Sequence, residues 1–355
     1  MTAVGRVDAP GSVASAPRTE VLPFRAGDGR WLNLHHVTGD RPPTRGPVLL
    51  VHGAGVRADV FRTAGQPTVV DALLDAGWDV WLENWRASID LPPNRWDLDQ
   101  AAVHDHPAAV ATVLEHTGAD TLKAVIHCQG SSSFALAAVA GLLPQVDTIV
   151  SNAMSLHPVV PRMSALKLSR VVPLVALAMD YVDPHWGKTA PAGFLQRRMV
   201  DLVRLSHREC RSGACRMVSF VYGAGHPALW SHDNLSAGSH QWLADEFGPV
   251  PLTFFAQMAR SVRAGRIVPT GSAPGLPADP VAGAPRTDAR FALVAGRDNL
   301  CFLPESQERT FDHLERHAPG RHSLHVVEGY GHLDVFMGRY APRDTFPLIL
   351  EELSR

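Results

Sequence analysis

The chain is poor in cysteine, in charge of one sign and in long apolar runs, and each shortage excludes a class of protein. Only 4 cysteines stand in 355 residues. That is too few for a disulfide scaffold. Lys and Arg number 33 against 35 Asp and Glu, a net charge of -2 with the arginines scattered. No basic run offers a surface for nucleic acid or an acidic membrane. No apolar stretch reaches the roughly 18 residues of a membrane helix. The longest, near Val171 to Met179, is short and interrupted by Pro173. Met1 to Pro17 has Ala, Gly, Ser, Pro and Val but no continuous apolar segment of the signal-peptide kind. These absences lead us to expect a soluble, cytoplasmic protein whose first 19 residues form a flexible arm.

Cysteine placement gives two further expectations. Cys210 and Cys215 are near enough in sequence to pair, but a cytoplasmic setting argues against a disulfide. Together with His207 they make a C-x4-C metal signal that lacks a second ligand pair at finger-like spacing. No metal and no cofactor are therefore expected.

What is present is a β–α rhythm. Glu20–Phe24 and Trp31–His36 flank the turn Ala26-Gly27-Asp28-Gly29 and read as a hairpin. Pro47–His52 is a continuous apolar run of the kind buried on both faces of a parallel sheet. Further strands are expected at Trp78–Glu83, Leu122–His127, Val146–Asn152, Phe291–Ala295 and Ser323–Val327. Helices are expected at Thr68–Asp75, Asp97–His116, from Gly130 to about Leu143, Ser306–His317 and Asp344–Leu353. There is no internal repeat. Between Leu156 and Arg286 the alternation lapses into two helix-like apolar stretches, and Ile267–Arg286 reads as a Pro/Gly/Ala linker. The expected architecture is α/β, a mostly parallel sheet with helices on both faces. Residues 20–155 and 287–355 form the core, and 156–286 form a cap over the carboxyl edge of the sheet, where open α/β folds bind ligands.

Three motifs follow directly on expected strands. His127-Cys128-Gln129-Gly130-Ser131 sits where a strand turns sharply into a helix, a place that presents one side chain on a strained apex among small neighbours. Cys128 is the nucleophile candidate, because a helix N-terminus stabilises a thiolate. Ser131, Ser132 and Ser133 fall inside the helix and are weaker candidates. Gly329-Tyr-Gly-His332 places His332 on a loop at the same sheet edge, as a general base requires. His52-Gly-Ala54-Gly55 supplies an oxyanion-hole loop: the N–H of Ala54 and that of Gln129 face developing negative charge. The residue that orients His332 lies in Ala295-Gly-Arg-Asp298-Asn299. Asp298 is the obvious carboxylate. Asn299 stands at the usual acid position, and an amide can serve beside a Cys–His pair. Asp334 is a lesser candidate for the same role and reads chiefly as structural. His127 either tunes Cys128 or, as is commoner at such a position, points into the core side of the strand. Trp78, Trp81, Trp85 and Trp96 read chiefly as core, and Leu166–Met179 as either cap core or a lid helix.

On these residues the chain resembles the α/β-hydrolase superfamily, over about 20–155 and 288–355. Gly77-Trp-Asp-Val-Trp-Leu-Glu-Asn-Trp-Arg86 is similar to a segment of acid lipases and of polyhydroxyalkanoate synthases, which also carry cysteine at the elbow. His127–Ser131, Asn299–Ser306 and Tyr330–Asp334 look like the hydrolase domain joined to cholesterol-oxidase-like flavoenzymes. Cys215–Gly223 and Phe247-Gly248 resemble that branch too. Ile126 departs from the G-x-S-x-G elbow. No G-x-G-x-x-G follows a strand, so no flavin is implied. The resemblance implies cleavage or transfer of an acyl group from an apolar ester, lactone or thioester, including a carrier-bound thioester, through an acyl-cysteine. The alternatives are a ligand-binding protein on this fold, or cyclase- or lyase-like catalysis in the same pocket. The oligomeric state is left open.

Overall fold

Apolar runs bounded by turn residues do become the strands of a single sheet. The computed structural model describes residues 16–208, 210–224 and 227–355; most of the expected N-terminal arm lies outside the described residues. Strands β1 (Arg18–Arg25), β2 (Trp31–Thr38), β3 (Pro47–Val51), β4 (Asp79–Asn84), β5 (Leu122–His127) and β6 (Val146–Asn152) come first. Strands β7 (Tyr181–Val182) and β8 (Val250–Pro251) make a small separate pair, and β9 (Arg290–Gly296) and β10 (Ser323–Val327) complete the main sheet. Its order is β1-β2-β4-β3-β5-β6-β9-β10. In this sheet β1 and β2 pair antiparallel, as does β2 with β4, and the other pairings are parallel. Every residue of β3 is buried, which is why its sequence is apolar without alternation.

The helix expected over 97–116 runs from Leu98 to Thr117 with a π-turn at Ala101–Asp105. Asp97 and Gln100 cap its start reciprocally, and Gly118 at φ 69° ends it. Pro107 lacks the N–H that a regular helix would use there, which favours the wider turn. The bulge turns Asp105 and His106 inward. Asp105 accepts from Arg86 Nε at 2.8 Å and Nη2 at 2.6 Å. His106 bridges Glu83 at 3.0 Å and Ser133 Oγ at 2.7 Å. Trp85 Nε1 donates to the His52 carbonyl at 2.9 Å, and Asn84 Oδ1 accepts from Ala58 N at 3.0 Å. The Glu83–Arg86 segment therefore braces the end of β3 from below. Trp78, Trp81, Trp85 and Trp96 are all buried in this core.

Sequence periodicity understates the insertion between β6 and β9. It holds helices at Phe194–Ser206, Gly213–Tyr222, Ala237–Trp242 and Leu252–Ala264, and a bent one over 162–175. They are short and packed on one another, and two begin at side-chain caps, Ser212 on Cys215 N and Ser236 on Ser239 N. The Pro/Gly stretch after Ile267 has no helix or strand, yet it is anchored: Asp99 Oδ2 accepts from Thr270 N at 2.6 Å and Gly271 N at 2.9 Å. At the C-terminus the single expected helix is two, Ala341–Asp344 and Phe346–Ser354, the second opening at Pro347. Among the described residues no helix is long and apolar enough to cross a membrane.

Arg86 and Asp105 are both buried; removing Asp105 strips the guanidinium of its buried partner and leaves it only the part-exposed Asp28 carboxylate, 2.9 Å away. Asp105→Ala is expected to lower unfolding free energy by about 3–5 kcal/mol in urea titration. A loss well under about 1 kcal/mol would show that this pair does not hold the β3 end in place.

Candidate active site

Strand β5 ends at His127, and the next residue opens the helix Cys128–Val139. Cys128 has φ 56°, a left-handed conformation that a side-chain-bearing residue adopts only under constraint. The constraint is crowding. A Cβ on Gly130 would lie 2.0 Å from the His52 carbonyl oxygen, and one on Gly53 would lie 2.9 Å from Cys128 Cβ. Helix and β3 loop thus touch through two glycines, and the nucleophile candidate projects at their junction. Ile126, the departure from the G-x-S-x-G pattern, is fully buried within β5. Ser131, Ser132 and Ser133 lie in the helix and spend their hydroxyls on the carbonyls of Cys128 and Gln129.

The structure brings Cys128, His332, Ala54, Gln129 and Asn299 to one place. Side-chain atoms of His127, Cys128 and His332 lie within 4.8 Å of one another. His332 is buried, and its Nε2 makes no hydrogen bond of normal geometry. Asn299 Nδ2 is 3.0 Å from His332 Nδ1. Asp298, the other candidate, is exposed beside it and its backbone N–H donates to the Tyr330 carbonyl at 2.9 Å; of the two, Asn299 is the residue whose side chain meets His332. Asp334 is buried and braces the His332 loop, accepting from Gly331 N at 2.8 Å and Asn234 Nδ2 at 2.7 Å.

The Asn299 amide has a defined orientation. Its Oδ1 accepts from the N–H groups of Cys301 at 2.9 Å and Phe302 at 3.2 Å. Only its NH₂ end is left to face His332. Nδ1 of His332 is then the acceptor, and the ring hydrogen sits on Nε2.

The site also contains residues that sequence reasoning missed. Cys301 is buried and lines the same cavity as Cys128, its thiol acting on the Cys128 sulfur. Burial acts to raise the Cys128 pKa, but this thiol, then His332 and His127, outweigh it and hold Cys128 well below its ordinary value. The same contact pushes Cys301 well up, with burial adding to it. His127 Nδ1 is bonded to Asn152 Oδ1 at 2.7 Å, and burial brings its pKa to about 3. Lys167 sits in the wall with its amine on the carbonyls of Phe220, Val221 and Gly223. Burial lowers it to about 8. Tyr222 donates to the Ala54 carbonyl at 2.8 Å. A lone lysine, a lone tyrosine and a cysteine in the loop after β9 carry no spacing signal that could have singled them out.

A cavity of about 40 Å³ adjoins Cys128, walled by Val160, Leu168, Phe254, Phe255, Met258 and Phe302. A second of about 30 Å³ shares Lys167, Val221 and Phe255 with it and continues under Val171–Val175.

The chain belongs to the α/β-hydrolase fold family, whose model matches residues 46–338. Sterol esterase 2 of Saccharomyces cerevisiae is 27% identical over 165 residues, 39% of this chain and 31% of the esterase. Lipase lipl-1 of Caenorhabditis elegans is 32% identical over 123 residues, 29% of this chain and 30% of the lipase. The chain thus matches about a third of the length of these curated relatives. A thermophilic esterase from Thermogutta terrifontis superposes with a TM-score of 0.55 at 15% identity, over 94% of this chain and 98% of its own. A lipase in its open form gives 0.57 at 16%, over 95% and 99%. At such identities these two structures share the fold.

A thiol held in its charged form stays nucleophilic in acid. Alkylation of Cys128 by iodoacetamide is expected to keep its rate from pH 8 to about pH 6, where an ordinary thiol loses about tenfold per unit. In Cys301→Ala the midpoint of the profile moves up. A Cys128 profile that falls like that of a free thiol would contradict the electrostatics described.

Proposed function

We propose that this protein cleaves or transfers the acyl group of an apolar ester or thioester through an acyl-cysteine on Cys128. The observation that carries the reading is the left-handed apex at Cys128, held between the β3 loop and His332. Cys128 Sγ attacks the acyl carbonyl as a thiolate. The N–H groups of Ala54 and Gln129 receive the oxyanion. The tetrahedral intermediate collapses, the leaving group departs, and water or another nucleophile takes the acyl group, its proton passing to the released sulfur. Residues 156–286 act as a cap over this centre. The cavities beside Cys128 lie under this insertion, so movement of the cap governs entry. Met163, Leu174, Leu177, Phe194 and Leu205 are exposed on that insertion, which suits an apolar substrate.

The orientation of Asn299 refines the substrate class. With the ring hydrogen on Nε2, His332 supports a thiolate already formed and is not set to take a proton from a thiol. It also cannot protonate an alkoxide without becoming an anion. Leaving groups that depart unprotonated, thiolates and phenolates, therefore make the smallest demand on the site. This favours thioesters, free or carrier-bound, and activated esters over alkyl esters.

The test is intact-mass analysis after exposure to acyl thioesters and aryl esters. An acyl adduct is expected on the wild type and none on Cys128→Ala, whose kcat/KM should fall by roughly 10⁴-fold or more. An adduct that persists in Cys128→Ala, or none on a wild type whose Cys128 is also unreactive to alkylation, would overturn covalent catalysis and favour a binding protein. Asn299→Asp offers His332 Nδ1 an acceptor. It is expected to raise alkyl-ester turnover relative to thioester turnover, and an unchanged ratio would remove the role given to Asn299.

A further inference from the structure

Four side chains unused by the catalytic centre converge at the outer side of the insertion. Cys210 stands in the loop after Phe194–Ser206, and Cys215 in the first turn of Gly213–Tyr222. His232 lies in a short 3-10 turn, and His240 in the helix Ala237–Trp242. One ligand atom from each, all four, fall within 4.8 Å of one another. Cys210 Sγ is 3.5 Å from His240 Nε2, and Cys215 Sγ is 3.4 Å from His232 Nε2.

We propose that Cys210, Cys215, His232 and His240 form a structural zinc site. Zinc binds thiolate sulfur at about 2.3 Å and imidazole nitrogen at about 2.0–2.1 Å, tetrahedrally, which sets sulfur and nitrogen about 3.6 Å apart. The two measured S···N separations match that edge. Two thiolates and two neutral imidazoles balance the charge of one divalent ion, and this soft and borderline donor set selects zinc over calcium or magnesium. Four protein ligands leave no open position, so the site is structural and not catalytic. The backbone N–H of Ser212 points at Cys210 Sγ at 3.4 Å, the kind of outer contact that orients a thiolate ligand. Neither cysteine is in a disulfide.

The sequence hid this site because its histidine pair has seven residues between its members, outside the finger spacing. His207, the histidine nearest the cysteines in sequence, is turned elsewhere: its ring meets Phe220 edge-on and its Nδ1 lies 2.9 Å from Ser206 Oγ.

The position of the cluster gives it a purpose. The helix that carries Cys215 ends at Tyr222, which holds the Ala54 carbonyl. The segment that carries His232 binds the His332 loop, through Leu333 N to the Leu229 carbonyl at 2.7 Å and Asn234 Nδ2 to the Gly329 carbonyl at 2.6 Å. A metal there fastens one flank of the insertion to both sides of the Cys128 centre. The proposal stands on these four residues whatever the chemistry at Cys128.

The test uses the full chain, produced with zinc and purified without chelator. Elemental analysis is expected to find about one zinc per chain. Cobalt replacement should give thiolate-to-metal charge-transfer absorption and the intense visible bands of a tetrahedral ion. Both signals persist in Cys128→Ala, which separates this site from the His127–Cys128–His332 cluster. In Cys210→Ser and His240→Ala the affinity falls by more than the roughly 10–100-fold that an outer-shell loss costs. Should those variants fail to fold, the wild-type cobalt spectrum and a chelator-induced drop in Tm decide the matter. A wild type with far less than one zinc and no cobalt charge-transfer band, or one with Cys210 and Cys215 joined in a disulfide, overturns the proposal. So does zinc retained at full stoichiometry in folded Cys210→Ser.

Discussion

The approach of the Cys128–Val139 helix to the end of β3 is the constraint on which the rest of the centre depends. Where a Cβ on Gly130 would stand 2.0 Å from the His52 carbonyl, no side chain fits. A glycine there lets the helix axis close on the sheet, and the residue two places earlier is forced onto the apex in a left-handed conformation. Holding a non-glycine residue so costs on the order of 1–3 kcal/mol. Burial of the whole following helix, from Cys128 to Val139, supplies far more than that. Nucleophile candidate, the loop of His52 to Gly55 and the helix N-terminus are consequently one rigid unit and not three parts that must find each other.

Beneath that unit lies a layer of buried polar groups. Trp85 fixes the His52 carbonyl, Asn84 fixes the Ala58 N–H, and Glu83 and Arg86 lock to His106 and Asp105 on the π-bulged helix. Buried ions are costly to desolvate and contribute little net stability. Their value here is geometric, since each fixes the register of a loop that touches the site. Above the unit, Asn299 does a similar task with a different sign. Its carbonyl is tied to two backbone N–H groups, so it presents a donor to the histidine where a carboxylate would present an acceptor. On the proposed function, that one change moves the expected chemistry from proton abstraction to the support of a preformed thiolate.

The insertion has to satisfy opposing demands. It walls the apolar cavities beside Cys128, and on the proposed function a substrate has to reach them. A clamp on one flank, at Cys210, Cys215, His232 and His240, leaves the segment around 162–175 as the part free to give. Lys167 lies in that segment with its amine on the end of the neighbouring helix, so the two flanks remain coupled.

Much of this was legible in the sequence, and for identifiable reasons. Short continuous apolar runs bounded by turns suit strands covered on both faces, so β3, β5, β6 and β9 and their parallel pairing followed from composition and period; β10, half-buried at the sheet edge, was placed by the β–α rhythm. Small residues around Cys128, and a histidine after the last strand, placed the two at one sheet edge. Asp298 and Asn299 are adjacent in the chain, and only the turn after β9 decides which one points inward; it buries Asn299. Cys301, Lys167 and Tyr222 reach the centre by crossing between elements, and no local pattern encodes such a crossing. The same holds for His232 and His240, which meet the two cysteines because three separate segments of the insertion fold against one another. The sequence determined by itself what is periodic or local: the sheet, the elbow and the identity of the nucleophile candidate. Tertiary structure decided what depends on direction in space, namely which amide faces His332 and which histidines join the thiols, because hydrogen bonds and metal coordination are satisfied by geometry and not by order along the chain.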